Sequence, residues 1–146
     1  MQIDIQKIES GEESVIIRYK ELTPTIARVK EILEGQDEKL WGKTDAGSVL
    51  ISYDAILYLE SVDDKVFAYT KDQIVRIDGS LNSFMIERQD DTFFRCSKSM
   101  VINVNRVNLL KSLSSNRIVA TMEGGEQIII SRRYASEFRR LLKGDR

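Results

Sequence analysis

The sequence predicts a mainly β, α+β fold in which antiparallel strands outnumber a few short helices. From residue 39 onward, short β-branched and aromatic runs recur roughly every ten residues, separated by turn-forming Gly, Asp, Asn or Ser. Helical periodicity is confined to three short stretches. The 146 residues include one Pro and eight Gly and are 42% hydrophobic, which is typical of a folded chain with a packed core.

The first 38 residues predict a small β-β-α extension ahead of the main domain. Residues 2–9 and 14–20 are rich in β-branched residues on either side of a Ser-Gly-Glu-Glu turn, which favours a hairpin. Thr23 and Pro24 then supply the N-cap and the first residue of a helix. The apolar face of this helix consists of Ile26, Val29, Ile32 and Leu33.

The main domain is predicted to cover residues 39–146, and the boundary falls in the polar segment Gly35–Lys39. Ser80 is placed to cap a short helix over residues 81–88, and residues 132–143 have the apolar spacing of a closing helix. The even spacing of the strands favours an antiparallel meander or sandwich over alternating β-α units. The predicted strands cover residues 39–43, 47–52, 56–61, 65–70, 73–77, 93–95, 107–113, 117–122 and 126–131.

Charge is distributed unevenly along the chain, although the net charge is only −1. Residues 1–91 contain 11 Lys+Arg and 19 Asp+Glu, whereas residues 92–146 contain 11 Lys+Arg and 4 Asp+Glu. A local basic surface is what a polyanion needs, so this asymmetry favours nucleic-acid binding over a chance scatter of charge. The absence of a long apolar run and of a signal peptide's apolar core predicts a cytoplasmic protein.

The absence of histidine removes the usual Ser-His-Asp and Cys-His chemistries and makes a zinc site unexpected. The acidic pairs Asp63-Asp64 and Asp90-Asp91 are reminiscent of a metal-dependent nuclease, but both lie in predicted turns, where Asp is common for backbone reasons. We therefore expect no enzymatic activity, no cofactor, no metal and no small-molecule substrate. The lone Cys96 is either a reactive thiol beside Arg95 and Lys98 or a buried strand residue, and the second interpretation is favoured.

Two basic segments with hydroxyl groups are the candidate binding residues. Ser97-Lys98-Ser99 is predicted to form a turn after a strand, where an amine and two hydroxyls suit phosphate oxygens or base edges. Ser131-Arg132-Arg133 lies where the last strand becomes the last helix. Arginines are electrostatically unfavourable at a helix start, and a phosphate or a guanine edge would relieve this. Solvated charge is the alternative for both segments.

Two residues after the Ser97–Ser99 turn have less specific interpretations. Asn103 is expected to be structural, because a buried Asn side chain usually satisfies the backbone of a turn. Arg106 is either a phosphate contact or a solvated charge, and the sequence does not distinguish these roles.

Three motifs in order resemble the LytTR DNA-binding domain of bacterial response regulators. The first is Asp54 to Ser61, which reads DAILYLES; the last is Ile130 to Tyr134, which reads ISRRY. Between them, Gly79-Ser80-Leu81 is followed after a short helix by FFRCSKS at Phe93–Ser99 and by VINV at Val101–Val104. The resemblance extends from Gly47 to Lys143.

This resemblance implies an elongated antiparallel β fold with short helices, which places loops rather than a recognition helix into major grooves. It further implies a homodimer on paired direct repeats of double-stranded DNA. By motif position, Lys98 and Arg133 match base-contacting residues, and Lys65 falls near a third such position. Ser97, Ser99 and Arg132 are the expected phosphate or flanking contacts.

Two departures from the family pattern affect function. The family often has His and Asn where this chain has Ser97 and Lys98, so base preference is expected to differ. Residues 1–38 are too few for a receiver domain, so phosphorylation is not the expected input, and a regulatory membrane protein is an expected partner instead. The competing function is a protein-interaction or ligand-sensing module that works through the N-terminal extension.

Overall fold

The computed structural model describes residues 1–34, 38–88 and 92–143. Within these ranges the extension contributes one helix, and the main domain contributes ten strands and two helices. The boundary predicted at Gly35–Lys39 falls largely outside the described residues, as does the acidic pair Asp90-Asp91, so the division into two domains stays a prediction.

The hairpin predicted for the extension is wrong, because residues 2–9 and 14–20 form no strand. The chain does bend where the turn was expected, and Gly11 has a φ of +94° there. An isolated two-stranded hairpin is marginal in water, and β propensity largely reflects packing against neighbours that these residues do not have. The β-branched side chains left most exposed are Ile3, Ile5, Val15 and Ile16.

The helix predicted for the extension is confirmed as α1, Pro24–Leu33. The Thr23 hydroxyl accepts a hydrogen bond from the Ile26 amide at 3.3 Å, and Pro24 occupies the start of the helix, as the sequence indicated. No residue of α1 is buried. The apolar face of the helix is therefore largely uncovered, and its exposed members are Val29, Ile32 and Leu33.

Seven strands of the main domain form an antiparallel sheet, called here the larger sheet. They are β1 Lys39–Thr44, β2 Gly47–Ser52, β3 Ile56–Val62, β4 Lys65–Thr70, β5 Ile74–Ile77, β6 Phe93–Arg95 and β7 Met100–Asn103. Their order across the sheet is β2-β1-β5-β4-β3-β7-β6. The antiparallel prediction is confirmed, but β1 pairs with β5 and β3 pairs with β7, so the sheet is not a simple meander.

The remaining strands form a smaller antiparallel sheet with the order β10-β9-β8. The strands are β8 Val107–Leu113, β9 Arg117–Met122 and β10 Gln127–Ile130. Helix α2, Leu81–Glu87, precedes β6, and helix α3, Arg132–Leu142, ends the described chain. The predicted cap of α2 is confirmed, since the Ser83 amide donates to the Ser80 hydroxyl at 3.0 Å. The expected β fold with short helices is thus confirmed for the main domain.

The larger sheet is buried on both faces at β3, β6 and β7, where each face has its own apolar partner. On one face, Phe93 and Leu59 join the core that includes Leu81 and Phe84 of α2. On the other face, residues of β3, β6 and β7 pack with the smaller sheet and α3; the Phe94 ring lies 4.9 Å from the Phe138 ring. Successive side chains of a strand point to opposite faces, so neighbouring residues of β6 serve different cores.

Candidate nucleic-acid interface

All the candidate binding residues lie at one end of the larger sheet. Val62 at the end of β3 pairs with Lys65 at the start of β4, which places the β3–β4 turn at this end. Glu60 of β3 pairs with Met100 of β7, which places the Ser97–Ser99 turn at the same end. The antiparallel pairing of the strands thus groups segments that are far apart in the sequence.

Two backbone hydrogen bonds join the three segments at this end. The Ser61 amide donates to the Ser99 carbonyl at 2.8 Å and ties the end of β3 to the Ser97–Ser99 turn. The Ser131 amide donates to the Cys96 carbonyl, also at 2.8 Å, and ties the start of α3 to the same turn. The two basic motifs identified in the sequence are therefore neighbours in the fold.

Lys65 is the most distant of the six candidate residues. It starts β4, so β3 separates it from β7 and from the Ser97–Ser99 turn, at a distance of roughly 10 Å for two strand spacings. The β3–β4 turn is tight: Asp63 and Asp64 have φ values of +51° and +61°, which is the conformation of a two-residue hairpin turn of type I′. Lys65 therefore flanks the site on a rigid turn.

Four basic side chains among the candidate binding residues are not neutralised by acidic side chains of the described residues. All four side chains are exposed, and none forms an ion pair with a carboxylate within the described part of the chain. Elsewhere, basic side chains do have acidic partners; Lys43, for example, lies 3.8 Å from Asp78. The unpaired cations of the interface are Lys65, Lys98, Arg132 and Arg133.

The start of α3 adds positive potential to this surface. Its N-cap residue Ser131 makes no side-chain capping bond, and no acidic residue occupies the first turn. The first amides of a helix lack intrahelical acceptors, so they can donate to an anion. The Arg133 guanidinium lies over the Tyr134 ring, 5.4 Å from the centroid, and its exposed face remains available. Anion binding fits this combination of groups.

Arg95 is a site residue for which the sequence carried no specific signal. Its Nε donates to the Ser97 carbonyl at 2.9 Å and its Nη2 donates to the Lys98 carbonyl at 2.6 Å. Its Nη1 donates to Asn82 Oδ1 of α2 at 2.6 Å. No sequence pattern predicts a contact between residues 82 and 95, because this contact depends on where α2 packs.

Cys96 is buried, as expected, but it lies directly after β6 and not within a strand. Its side chain is fully buried, and this burial raises the pKa of the thiol to about 12. The neighbouring Arg95 guanidinium lowers the pKa, but less than burial raises it. A thiol with such a pKa carries almost no thiolate near neutral pH, so the structure contradicts a reactive cysteine at this position.

Asn103 and Arg106 are structural residues. Asn103 is fully buried; it accepts from the Asn105 amide at 3.0 Å and donates to the Ile56 carbonyl at 2.8 Å, which confirms its predicted role. Arg106 ends a single 3₁₀ turn, Val104–Arg106. It pairs with Asp54 at 2.6 Å and with Glu123 at 3.3 Å, so it is not the solvated charge considered as one of its two roles.

The described residues contain no cluster of three or more His, Cys, Asp or Glu side chains that could hold a metal ion. Asp63-Asp64, which the structure does describe, lies in a hairpin turn without such neighbours. None of the helices in the described ranges has the length and apolarity needed to cross a bilayer.

Comparison with known proteins identifies similar sequences and a similar structure. Residues 46–143 match the family model of the LytTr DNA-binding domain. The chain is 24% identical over 131 residues to the sensory transduction protein LytT of Bacillus anthracis and 22% identical over 130 residues to that of Bacillus subtilis. These matches cover 86% and 89% of this chain but 53% and 54% of the relatives, so the chain spans about half their length.

A structural comparison also finds a similar domain. A solved LytTr DNA-binding domain from Bacillus cereus, described as part of a methyl-accepting/DNA response regulator, superposes with a TM-score of 0.69 at 28% identity. The match covers 73% of this chain and 97% of that domain. The solved domain is thus matched over nearly its whole length.

Proposed function

Because the chain belongs to the LytTR family of DNA-binding domains, we propose that it regulates transcription by reading double-stranded DNA in the major groove through the turns at one end of its larger sheet. One observation carries this proposal: the hydrogen bond from Ser131 to Cys96 holds the two basic segments together on one surface. Uncompensated cations on that surface supply the attraction for the phosphate backbone. We expect this protein to act in the cytoplasm.

The residues of the interface have different roles in this proposal. Lys98 and Arg133 contact base edges, since both donate hydrogen bonds to guanine acceptors and Arg can do so in a bidentate manner. Ser97, Ser99 and Arg132 contact phosphates and fix the register of the protein on the duplex. Lys65, which falls near a third base-contacting position by motif, approaches the duplex from the β3–β4 turn.

A mobility-shift experiment tests whether binding is sequence-specific. The labelled probe is duplex DNA from upstream of the gene that encodes the chain, and the competitor is unrelated duplex DNA of equal length. A complex that resists the unrelated competitor but yields to unlabelled probe supports the proposal. Equal competition by both duplexes contradicts it, because nonspecific electrostatic binding would then account for the whole complex.

Arg133→Ala is expected to remove most of the sequence specificity and leave the fold intact. The side chain is exposed and has no acidic partner in the described structure, so its loss costs no buried contact. A lost base contact costs about 1–3 kcal/mol of binding free energy. Competition binding with specific and unrelated duplexes measures the effect, and a thermal melt checks the fold.

Arg140→Ala is the matched control for this variant, because Arg140 is exposed on the same helix but lies near its other end. The control removes the same charge and should retain the preference for the specific duplex. Equal binding by Arg133→Ala and by the unmodified chain, with both variants folded, would show that Arg133 reads no base.

The extension is proposed as the element that makes the protein a homodimer on paired direct repeats. Its strand-prone residues are unpaired and its helix α1 buries no side chain, so it leaves a large apolar surface exposed. Surfaces of this kind are typical of protein interfaces. A dimer would hold the second DNA-binding domain near the second half-site at high effective concentration.

Val29→Glu combined with Ile32→Glu is expected to convert a dimer to a monomer. Both side chains are exposed, 43% and 52%, so the charges disturb an intermolecular contact without entering a core. Light scattering at tens of micromolar measures the change, and a chain that begins at Lys39 should behave in the same way. Ile86→Glu is the control, because Ile86 is 65% exposed on α2, outside the extension. A monomeric unmodified chain, or a dimer that survives both changes, would contradict this role.

A second candidate function, a protein-interaction or ligand-sensing module, draws on the same exposed apolar residues of the extension. A regulatory membrane protein is the partner we propose for it, since binding there could control the DNA-binding domain. The two functions are distinguished by the variants above. Loss of regulation in Val29→Glu/Ile32→Glu with unchanged oligomeric state and DNA affinity would favour the interaction module.

A further inference from the structure

The guanidinium of Arg95 donates hydrogen bonds to the backbone of the Ser97–Ser99 turn and to α2. Arg95 is the last residue of β6 and is half-buried. All three of its nitrogens donate, yet each acceptor is neutral: the carbonyls of Ser97 and Lys98 and the amide oxygen of Asn82. No carboxylate neutralises it within the described structure, so this guanidinium shapes the turn without cancelling the positive charge of the interface.

Backbone hydrogen bonds hold Ser97 and Ser99 on either side of the turn, but within the described residues none of those outside the regular helices and strands involves Lys98 at its tip. The amides of Cys96 and Ser97 both donate to the Met100 carbonyl, at 3.0 and 3.4 Å. Beyond them, the Ser99 amide donates to the Ser97 hydroxyl at 3.3 Å. The direction of the Lys98 side chain depends on the two peptide planes that flank it, and Arg95 fixes both by binding their carbonyl oxygens.

The same contacts favour an anion electrostatically. Carbonyl oxygens carry partial negative charge and would repel a phosphate if they faced it. Because Arg95 binds the Ser97 and Lys98 carbonyls, its positive charge compensates their partial negative charge. The turn then offers the Lys98 amine and the serine hydroxyls as donors.

Asn82 connects this arrangement to the rigid part of the domain. It lies in the first turn of α2, between the buried Leu81 and the capping residue Ser83. The capping bonds of Ser80 and the packing of Leu81 and Phe84 hold this turn of the helix in place. Precise recognition requires that the residues contacting a ligand be supported by others whose positions are fixed, and Asn82 provides that support for Arg95.

We propose that Arg95 is a positioning residue for DNA recognition: it holds the Ser97–Ser99 turn in the conformation that directs Lys98 at a base edge, and Asn82 of α2 anchors it. This inference rests on the proposed DNA-binding function. Arg95 acts through Lys98, not as a phosphate contact of its own.

Arg95→Lys is the informative variant because it keeps the positive charge but removes the planar guanidinium and its three hydrogen-bonding nitrogens. A single ammonium group cannot reach two carbonyls and Asn82 with the planar fork of a guanidinium. Binding is measured by fluorescence anisotropy on two duplexes, one selected from a randomised library by the unmodified chain and one with the same bases shuffled. We expect about a tenfold loss on the selected duplex, and less than twofold on the shuffled one.

A double-mutant cycle with Lys98→Ala separates positioning from direct contact. If Arg95 acts through Lys98, then Arg95→Lys should weaken binding less than twofold in the Lys98→Ala background. An equal loss in both backgrounds, or an equal loss on both duplexes, would overturn the proposal and assign Arg95 a direct phosphate contact. Unchanged binding of Arg95→Lys to the selected duplex would overturn it as well.

Asn82→Ala provides a second route if Arg95→Lys fails to fold. Asn82 is exposed, so its truncation leaves the core intact and frees only the Nη1 side of the guanidinium. A loss of severalfold on the selected duplex alone supports the proposal, and no change overturns the anchoring role. If the unmodified chain selects no preferred duplex, the DNA-reading function itself fails, which is distinct from any result with the variants.

Discussion

Binding to duplex DNA is expected to weaken at least about a hundredfold when the salt concentration rises from roughly 50 to 200 mM. Each copy of the chain brings to the candidate interface four cations that have no acidic partner among the described residues, namely Lys65, Lys98, Arg132 and Arg133. They displace condensed counterions, and the logarithm of the affinity then falls with the logarithm of the salt concentration by about 0.9 per phosphate neutralised. For a dimer with two to four such contacts per copy, this gives a slope between about −4 and −7.

Anisotropy titrations of one duplex at several salt concentrations measure this slope. Arg132→Ala should reduce its magnitude by about one per copy and weaken all duplexes alike, because a phosphate contact carries no sequence information. Arg140→Ala, which lies outside the interface, should leave the slope unchanged. A flat response of the unmodified chain would remove DNA as the main ligand.

Phe138→Ala is expected to destabilise the main domain by about 3–5 kcal/mol of unfolding free energy. Phe138 is the largest of the fully buried side chains, and its ring packs against Phe94 at 4.9 Å between centroids. Its truncation leaves a cavity between α3 and the larger sheet. Since α3 carries Arg132 and Arg133, the loss of this contact should also loosen the proposed DNA-binding surface.

Urea denaturation measures the stability of this variant. Glu137→Ala is its control, because Glu137 is the exposed neighbour on the same helix and the change should stay within about 0.5 kcal/mol. Destabilisation by Phe138→Ala of less than about 1 kcal/mol would mean that α3 is not held by this core.

The architecture of the main domain could be predicted from local patterns. Its strands are short runs of β-branched and aromatic residues, and turn residues such as Asp63-Asp64 and Ser115-Asn116 adopt the positive φ values that tight hairpins need. The one strand that was not identified as such is β7, whose apolar run Met100–Val104 lacks alternation because both faces of the sheet are buried there. The order of the strands could not be predicted, because a pairing such as β1 with β5 has no signature in the local sequence.

The sequence predicted which residues form the candidate site but not the contacts that hold them in place. The basic character of Ser97–Ser99 and Ser131–Arg133 is visible in the sequence, and the structure brings the two segments together. The contacts of Arg95 and Arg106 were not foreseeable, because each joins elements that only the fold brings together. The strand predicted for residues 2–9 is wrong because these residues have strand propensity but no neighbouring strand to pair with.

The alternation of Phe93 and Phe94 between two cores limits how the chain can change in length. One residue inserted or deleted between Thr92 and Cys96 would rotate every following side chain of β6 to the opposite face. Side chains that now fill one core would then face the other core. Insertions at the solvent-exposed turn of Ser114–Asn116 impose no such exchange. Evolution can therefore lengthen the chain at that turn, whereas β6 can vary only by replacement.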